Sequence, residues 1–415
     1  METNIDYFLM KTKVEGLDKK FDLSDIDSRK EYFEAKAGDE IKKLKEFFET
    51  NTFIAYLLGK KNSGKGTYTK LLAEIFGKDK IGHISVGDIV RAIHADMEDP
   101  IKKQELLDYL KANYRGYMSF DDAVNALLGR DTKTLLPSEF ILALLQKEID
   151  KRPKSSLFID GFPRDLDQIS YSLFFRNLIN YRQDPDVFVA INIPEAVIDE
   201  RMKNRVVCPI CKTPRSLKLL ATKEVGFDQE KKEYYLKCDN PECNGVKMVG
   251  KEGDSMGIES IRDRLELDQK LIDKIMELHG VPKILLRNAL PVAMAHDLID
   301  DYEITPEYSY ELAEDGKVLT HEKPWATKDD EGNEAYSLMA PAVVVSWLKQ
   351  LVKAFELKNF FLYLKPNFLK RWGQNASVQN HGQIFPALTK PHAPLLRLYA
   401  GYTRSRLGKI GNNIL

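Results

Sequence analysis

Apolar residues follow two different spacings on either side of a glycine-rich turn near position 60. Upstream, residues 52–58 (TFIAYLL) form a short, apolar, β-rich run, which predicts a strand buried on both faces. Downstream, the segment TYTKLLAEIFG carries apolar residues at helical spacing, and Gly77 predicts the end of that helix. The pattern therefore predicts a strand, a glycine-rich loop and a helix in that order.

Regular patterns also occur near both ends of the chain. Residues 28–50 carry aromatic and aliphatic side chains near helical spacing, which predicts a helix that packs on the core. The pair Asp315-Gly316 lies between alternating apolar residues and predicts a hairpin. The segment APAVVVSWLKQLVKAFEL, with Pro341 near its start, predicts a further helix.

Composition limits the class of protein. The chain has 415 residues, with 62 Lys and Arg against 63 Asp and Glu, which is long for one domain and predicts a core with appendages. No run of 18 apolar residues occurs, so we expect no membrane span. The first residues lack the apolar stretch of a signal peptide, so we expect a cytoplasmic protein.

The loop that follows the first predicted strand has the chemistry of a phosphate site. At a helix N-terminus, free backbone N–H groups and the positive end of the helix dipole attract phosphate. Lys65 can reach the outer phosphates, and the hydroxyl of Thr67 can face Mg²⁺. The alternative is a lysine-rich surface turn. The candidate ATP-binding residues of this loop are Gly59, Ser63, Gly64, Lys65, Gly66 and Thr67.

The spacing Gly-x4-Gly-Lys-Gly-Thr in this loop resembles that of adenylate kinases and related nucleoside monophosphate kinases. Five further segments resemble the same family and occur in its order. They are HISVGDIVR (83–91), LFIDGFPRDLDQ (157–168), ERMKNR (200–205), IRDRL (261–265) and NALPV (288–292). The ordered set covers about residues 52–300.

The resemblance implies an α/β fold, a three-layer P-loop kinase core with a parallel five-stranded sheet. We expect strands near residues 52–58, 80–85, 155–160, 187–193 and 283–287. The expected organisation is an N-terminal helical extension (1–50), a kinase core (51–300) with a monophosphate-binding segment (91–145) and a lid (206–254), a hairpin and helix extension (301–355), and a basic aromatic tail (356–415).

The resemblance also implies transfer of the terminal phosphoryl group of ATP to a nucleoside monophosphate, with AMP favoured. Arginine suits this reaction because its planar, permanently charged fork fits phosphate oxygens. The implied catalytic residues are Lys65, Arg164, Arg205 and Arg264. On the donor side, the resemblance adds Arg201, near the donor base, and Leu290 to the ATP-binding residues of the loop. The implied residues of the acceptor side are Ser85, Val86, Arg91, Leu136, Gly161, Arg164 and Gln168. Thr67 and Asp160 would hold Mg²⁺ through water.

No general base is expected, because the attacking phosphate oxygen is already anionic. Asp88 has two interpretations, a contribution to the magnesium site or a hydrogen bond that fixes its turn.

Two features bear on the acceptor and the lid. Val86 replaces the threonine usual in adenylate kinases and keeps UMP, CMP or GMP open as acceptors. Gln168 favours AMP, because an amide can both donate and accept at an adenine edge. Before Ile261 only Asp254 fits the family pattern, and its arginine is missing or replaced by Lys251.

The four cysteines cluster inside the expected lid. Cys208 and Cys211 are separated by two residues, and Cys238 and Cys243 by four. Four thiolates from two tight turns form the closed tetrahedral site of a structural Zn²⁺. Some adenylate kinases carry such a zinc in the lid. The alternative is two redox-inert surface turns.

The last segment, from Glu356 onward, has nine Lys and Arg and a single acid. Its interleaved aromatics have three interpretations. Packing against the core is favoured, contact with single-stranded nucleic acid comes second, and binding to a membrane surface comes third. The tail therefore keeps open a second class of function, a nucleotide-dependent switch protein associated with RNA. As a kinase, the protein is expected to be a monomer.

Overall fold

The computed structural model describes residues 10–116, 119–128, 137–152, 154–164, 168–169, 186–251, 253–254 and 256–362. The chain divides into a unit that ends at Asn359 and a second unit from Phe360 onward. Leu136 and nearly all of the predicted basic tail lie outside the described residues. Among the described helices, none combines the length and apolar character that crossing a bilayer requires.

A five-stranded sheet forms the centre of the first unit. Its strands are β1 (Ile54–Gly59), β2 (Ile81–Ser85), β3 (Ser156–Asp160), β4 (Asp186–Asn192) and β10 (Lys283–Arg287). Their order is β10-β4-β1-β3-β2, and every neighbouring pair is parallel. The five predicted strands and the parallel sheet are therefore confirmed.

Ten α-helices are assigned within the described residues. They are α1 (Ile26–Thr50), α2 (Lys65–Phe76), α3 (Val86–Asp96), α4 (Pro100–Asn113), α5 (Phe120–Leu128), α6 (Ser138–Asp150), α7 (Glu195–Lys203), α8 (Arg262–Met276), α9 (Val292–Leu298) and α10 (Ala340–Leu362). The predicted helix after the glycine-rich loop is α2, and Gly77, whose φ is +96°, follows its last residue as expected. α10 continues beyond Glu356, where the change in composition predicts the start of the tail.

The helices cover both faces of the sheet, which gives the three layers expected of the fold. Side chains of β1 alternate between two hydrophobic clusters, Ala55 and Leu57 in one and Tyr56 and Leu58 in the other. The first cluster contains residues of α1, α2, α9 and α10, and the second contains residues of α3, α6 and α8. Burial of both strand faces explains why β1 is apolar along its length.

Smaller β-structures lie outside the central sheet. The segment predicted as the lid, together with the residue before it, contains β5 (Arg205–Val207), β6 (Pro214–Ser216), β7 (Val225–Asp228), β8 (Glu233–Leu236) and β9 (Val249–Gly250). The C-terminal addition contains β12 (Pro306–Leu312), β13 (Val318–Pro324), β14 (Ala326–Lys328) and β15 (Glu334–Ser337), and β15 pairs with β11 (Ala289–Pro291). The hairpin predicted at Asp315-Gly316 corresponds to β12–β13.

The β12–β13 hairpin contacts the lid segment. The Tyr310 hydroxyl donates to the carbonyl of Leu217 at 2.5 Å, and the N–H of Tyr308 donates to the carbonyl of Lys218 at 2.8 Å. The centroids of the Tyr310 and Tyr234 rings lie 5.5 Å apart. These contacts tie the lid segment to an element that lies outside the kinase-like part of the chain.

Glu303 connects the two terminal additions inside the core. It is fully buried, accepts hydrogen bonds from the hydroxyls of Thr12 and Tyr32, and also accepts from the backbone N–H of Asp300. Burial raises the pKa of Glu303, and its hydrogen bonds act in the opposite direction. Beside it, Lys36 of α1 pairs with the Asp300 carboxylate. The N-terminal helix is therefore joined to the C-terminal addition by buried polar contacts.

We expect Glu303→Ala to lower the free energy of unfolding by about 3 kcal/mol, because three donors would lose their acceptor. Denaturant titration of the variant against the wild-type chain measures the loss. The exposed Glu314→Ala, in the β12–β13 turn, is the matched control and should change stability by no more than about 0.5 kcal/mol. A Glu303→Ala variant as stable as its control would contradict this role.

Candidate active site

The glycine-rich loop connects the carboxyl end of β1 to the first turn of α2. Gly64 has φ +97° and caps α2 with no side-chain hydrogen bond, so no capping side chain competes with a ligand for the N–H groups of Lys65 and Gly66. Gly59 has no room for a side chain, because a β-carbon there would lie 2.7 Å from Ser63 Oγ. Ser63 itself is buried, and its hydroxyl has no hydrogen-bond partner in the described part of the chain. The loop is shaped to receive hydrogen-bond acceptors from outside the protein.

Lys65 folds back over this loop. Its Nζ donates to the carbonyls of Gly59 at 2.7 Å and Lys60 at 3.2 Å, and lies 3.9 Å from Asp160 Oδ1. Burial is the main cause that lowers the pKa of Lys65, and the carboxylates of Asp160 and Asp268 oppose the shift. The ammonium thus sits in a desolvated position where an anion would be attracted strongly.

Two arginines lie close enough to this lysine to lower its pKa, namely Arg264 and Arg164. Burial lowers the pKa of Arg164, the nearby Arg264 lowers it further, and Asp268 and Asp160 oppose the shift. Arg264 Nε donates to Asp268 Oδ1 at 3.3 Å. The structure therefore brings the predicted residues Lys65, Asp160, Arg164 and Arg264 into one electrostatic cluster.

Asp268 is part of this cluster, although it is not among the residues predicted from the sequence. It is 9% exposed, and its Oδ2 has no hydrogen-bond partner among the described residues. The carboxylate compensates some of the positive charge of the surrounding cations. Its position four residues after Arg264 on a helix was the only signal in the sequence, because i and i+4 side chains are neighbours.

Arg205 links the lid segment to the glycine-rich loop. Its guanidinium binds both oxygens of Asp254, at 2.5 and 2.7 Å, and donates to Asn62 Oδ1 at 2.9 Å. Lys251 is near enough to Lys61 of the loop to help lower the pKa of that lysine, for which partial burial is the main cause. Asp254 and Lys251, the two lid positions singled out in the sequence, therefore both lie near the loop.

Arg201 is placed beside the first turns of α2. Its terminal nitrogen is 3.5 Å from Asn288 Oδ1, and the hydroxyl of Tyr68 lies near the guanidinium. Burial lowers the pKa of Arg201. Leu290 is fully buried in β11 and is in ladder register with Tyr336 of β15. Both predicted donor-side residues are thus placed at the NALPV segment.

The predicted acceptor side is built from the carboxyl ends of β2 and β3. Ser85 caps α3 by accepting from the N–H of Asp88. Val86 is buried, and a β-carbon on Gly161, whose φ is +85°, would lie 3.5 Å from it. Gln168 is fully buried and accepts from the backbone N–H of Arg164 at 2.8 Å.

Arg91 is placed differently from the other predicted arginines. Its side chain is 71% exposed and pairs with Asp88, one turn earlier on α3. The Asp88 carboxylate therefore contacts an arginine, while its backbone N–H fixes the turn. Thr67 is exposed at the first turn of α2.

The four cysteines come together in the lid segment. Their Sγ atoms all lie within 4.8 Å of one another, and the Cys211 and Cys238 sulfurs are 3.6 Å apart. Hydrogen bonds with Thr213 lower the pKa of Cys211 to about 6, whereas burial raises the pKa of Cys243. Tetrahedral coordination at about 2.3 Å places sulfurs about 3.8 Å apart, so the cluster has the dimensions of a four-thiolate metal site.

Comparison with known proteins agrees with the geometry. A family model described as an AAA domain matches residues 58–207, which run from the glycine-rich loop to the first lid strand. The adenylate kinase of Thermotoga petrophila is 32% identical over 228 residues, which is 53% of this chain and 84% of that protein. The adenylate kinase of Clostridium tetani is 28% identical over 231 residues, 55% of this chain and 88% of the relative.

The chain is also similar to a protein that is named for UMP and CMP and not as an adenylate kinase. The Arabidopsis thaliana protein named "Probable UMP-CMP kinase 2" is 31% identical over 160 residues, which is 38% of this chain and 49% of that protein. Since adenylate kinases are matched over most of their length and the parallel sheet carries the cation cluster at its carboxyl edge, the chain belongs to the adenylate kinase family and is a nucleoside monophosphate kinase of that type.

Proposed function

We propose that this enzyme transfers the terminal phosphoryl group of ATP to AMP and forms two molecules of ADP. The observation that carries the proposal is the cluster of Lys65, Arg164 and Arg264 beside the glycine-rich loop. Phosphoryl transfer between nucleotides gathers many negative charges, and the protein's task is to position and neutralise them. A cluster of three cations, of which Lys65 and Arg164 are desolvated by burial, meets that requirement.

Each part of the site has a role in the proposal. The loop N–H groups and Lys65 hold the donor phosphates. Arg164 holds the acceptor phosphate, where Arg91 joins it once its pair with Asp88 opens. Arg264 and Arg205 act on the transferred group. The reaction needs no general base, since the attacking phosphate oxygen is already ionised.

Mg²⁺ with ATP fits this site. Asp160 ends β3 at the carboxyl edge of the sheet, and Thr67 is exposed at the start of α2. A carboxylate and a hydroxyl are hard oxygen donors, and Mg²⁺ keeps several of its waters when it binds. Both residues would hold the ion through water, where it would neutralise charge on the phosphates.

The acceptor proposal depends on the residues beside Arg164. Gln168 is buried there, and its amide can both donate and accept at an adenine edge. The similarity to proteins named adenylate kinase also supports AMP. The buried Val86, together with the similarity to a protein named for UMP and CMP, supports a pyrimidine monophosphate as the second candidate.

We expect Lys65→Ala and Arg264→Ala to lower turnover by about 10²-fold to 10³-fold, because each removes a cation from the developing charge. A coupled assay of ADP formation measures the rate. Lys78→Ala and Arg262→Ala are matched controls, since both side chains are exposed and lie near the mutated ones in sequence. Wild-type rates for Lys65→Ala and Arg264→Ala would refute the assignment.

A panel of acceptors tests the preference for AMP. With radiolabelled ATP, we expect kcat/KM for AMP to exceed that for UMP, CMP and GMP by about 10-fold or more, because the buried amide can pair with adenine. Gln168→Ala should lower the value for AMP more than the value for UMP. A higher kcat/KM for UMP or CMP in the wild-type enzyme would instead establish the second candidate.

We also propose that the cysteine cluster holds a structural Zn²⁺, which lets the small lid fold as a rigid unit. Metal analysis of the purified protein should find about one zinc per chain. Cys211→Ser should lose the metal and lower the Tm, whereas Ile210→Ala, an exposed position in the same turn, should keep both. Absence of zinc together with an unchanged Tm after chelation would contradict the proposal.

A further inference from the structure

The C-terminal addition reaches the donor side of the site through β15. This strand pairs antiparallel with β11, where Leu290 is opposite Tyr336 and Ala289 is opposite Ser337. β11 belongs to the NALPV segment, which is predicted from the sequence to lie on the donor side. The strand at the expected donor site is therefore paired with a strand from outside the kinase-like part of the chain.

A chain of buried hydrogen bonds runs from the addition into the core. Thr305 Oγ1 donates to Ser337 Oγ at 3.4 Å, and Ser337 Oγ donates to Asn288 Oδ1 at 3.1 Å. Asn288 Nδ2 donates to the Tyr68 hydroxyl at 3.3 Å. These four residues are between 0% and 6% exposed, so water does not compete for their bonds.

The chain of bonds ends at Arg201. The Asn288 Oδ1 that accepts from Ser337 is also 3.5 Å from the Arg201 terminal nitrogen, and the Tyr68 hydroxyl that accepts from Asn288 Nδ2 lies near the same guanidinium. Asn288 Nδ2 also donates to the carbonyl of Leu338 at 3.0 Å. The amide therefore has donors facing its oxygen and acceptors facing its nitrogen, which determines its orientation.

We propose that Ser337 is a positioning residue for the donor nucleotide. It holds the Asn288 amide, and the amide in turn holds the Arg201 guanidinium beside the donor base. The C-terminal addition thereby sets the affinity for ATP. The inference rests on the proposed function in one respect, the assignment of Arg201 to the donor side.

The proposal depends on the free-energy cost of leaving the Asn288 amide oxygen without its shorter hydrogen bond, the one from the Ser337 hydroxyl. Without the Ser337 hydroxyl, Asn288 Oδ1 keeps only the long contact with Arg201, and the amide is held firmly on its nitrogen side alone. The guanidinium then has a less fixed partner and must be ordered when the nucleotide binds. Since a planar guanidinium stacks on an aromatic face, a loss of its order weakens binding of the base more than binding of the phosphates.

The test is Ser337→Ala in the full-length chain. We expect the Kd for ATP, measured by calorimetry, and the KM for ATP to rise about fivefold, which corresponds to one lost hydrogen bond. The KM for the acceptor should stay within about twofold. Ser346→Ala, which removes a buried serine of α10 that accepts from Gln350, is the matched control and should leave both KM values unchanged. An unchanged Kd for ATP in Ser337→Ala would overturn the proposal.

A double-mutant cycle with Arg201→Ala separates positioning from a general structural effect. If Ser337 acts through the guanidinium, Ser337→Ala should add no further loss of ATP affinity in the Arg201→Ala background. The same loss in both backgrounds, or an equal rise of both KM values, would also overturn the proposal. Because calorimetry with ATP needs no acceptor, a failure of AMP phosphorylation would count against the proposed function alone.

Discussion

Repulsion between like charges is the constraint on which this active site depends. Lys65, Arg164 and Arg264 lie near one another at the carboxyl edge of a parallel sheet, and burial of Lys65 and Arg164 makes these cations costly to hold together. Asp160 and Asp268 offset part of that cost, and backbone carbonyls of the loop accept hydrogen bonds from the lysine. Bound phosphates would neutralise the remaining positive charge. The repulsion between these cations therefore favours binding of a multiply charged anion.

The terminal additions belong to the same hydrophobic core as the kinase-like part. α1 and α10 lie in one layer with α2, where the Phe47 and Phe355 rings stack with centroids 4.4 Å apart. Trp347 of α10 packs edge-on against Phe158 of the central sheet at 5.2 Å. Removal of either helix would expose apolar sheet surface to water, so these segments are part of what stabilises the site.

Local patterns were sufficient for much of the fold, because they act over a few residues. The strand before the loop, the helix after it, Gly77 at the helix end and the hairpin at Asp315-Gly316 were all predicted, since each depends on side-chain period or on turn chemistry. The pairing of β15 with β11 was missed, because register between distant strands is set by packing. Asp268 was missed because a lone aspartate on a helix is usually solvated.

By itself, the sequence determined the strand, loop and helix around Gly64, the order of the nucleotide-site segments and the placement of the four cysteines in one short stretch, and the resemblance of those segments to adenylate kinases implied the α/β class. These follow from residue types at short spacings, which carry their chemistry wherever the chain folds. Only the tertiary structure decided that Arg91 pairs with Asp88 at the surface, that Asp268 joins the cation cluster, and that Ser337 reaches Asn288. Some of these contacts join residues on different elements, and the Arg91 pair is one of several contacts open to that side chain. In both cases the packing of the elements determines which groups meet.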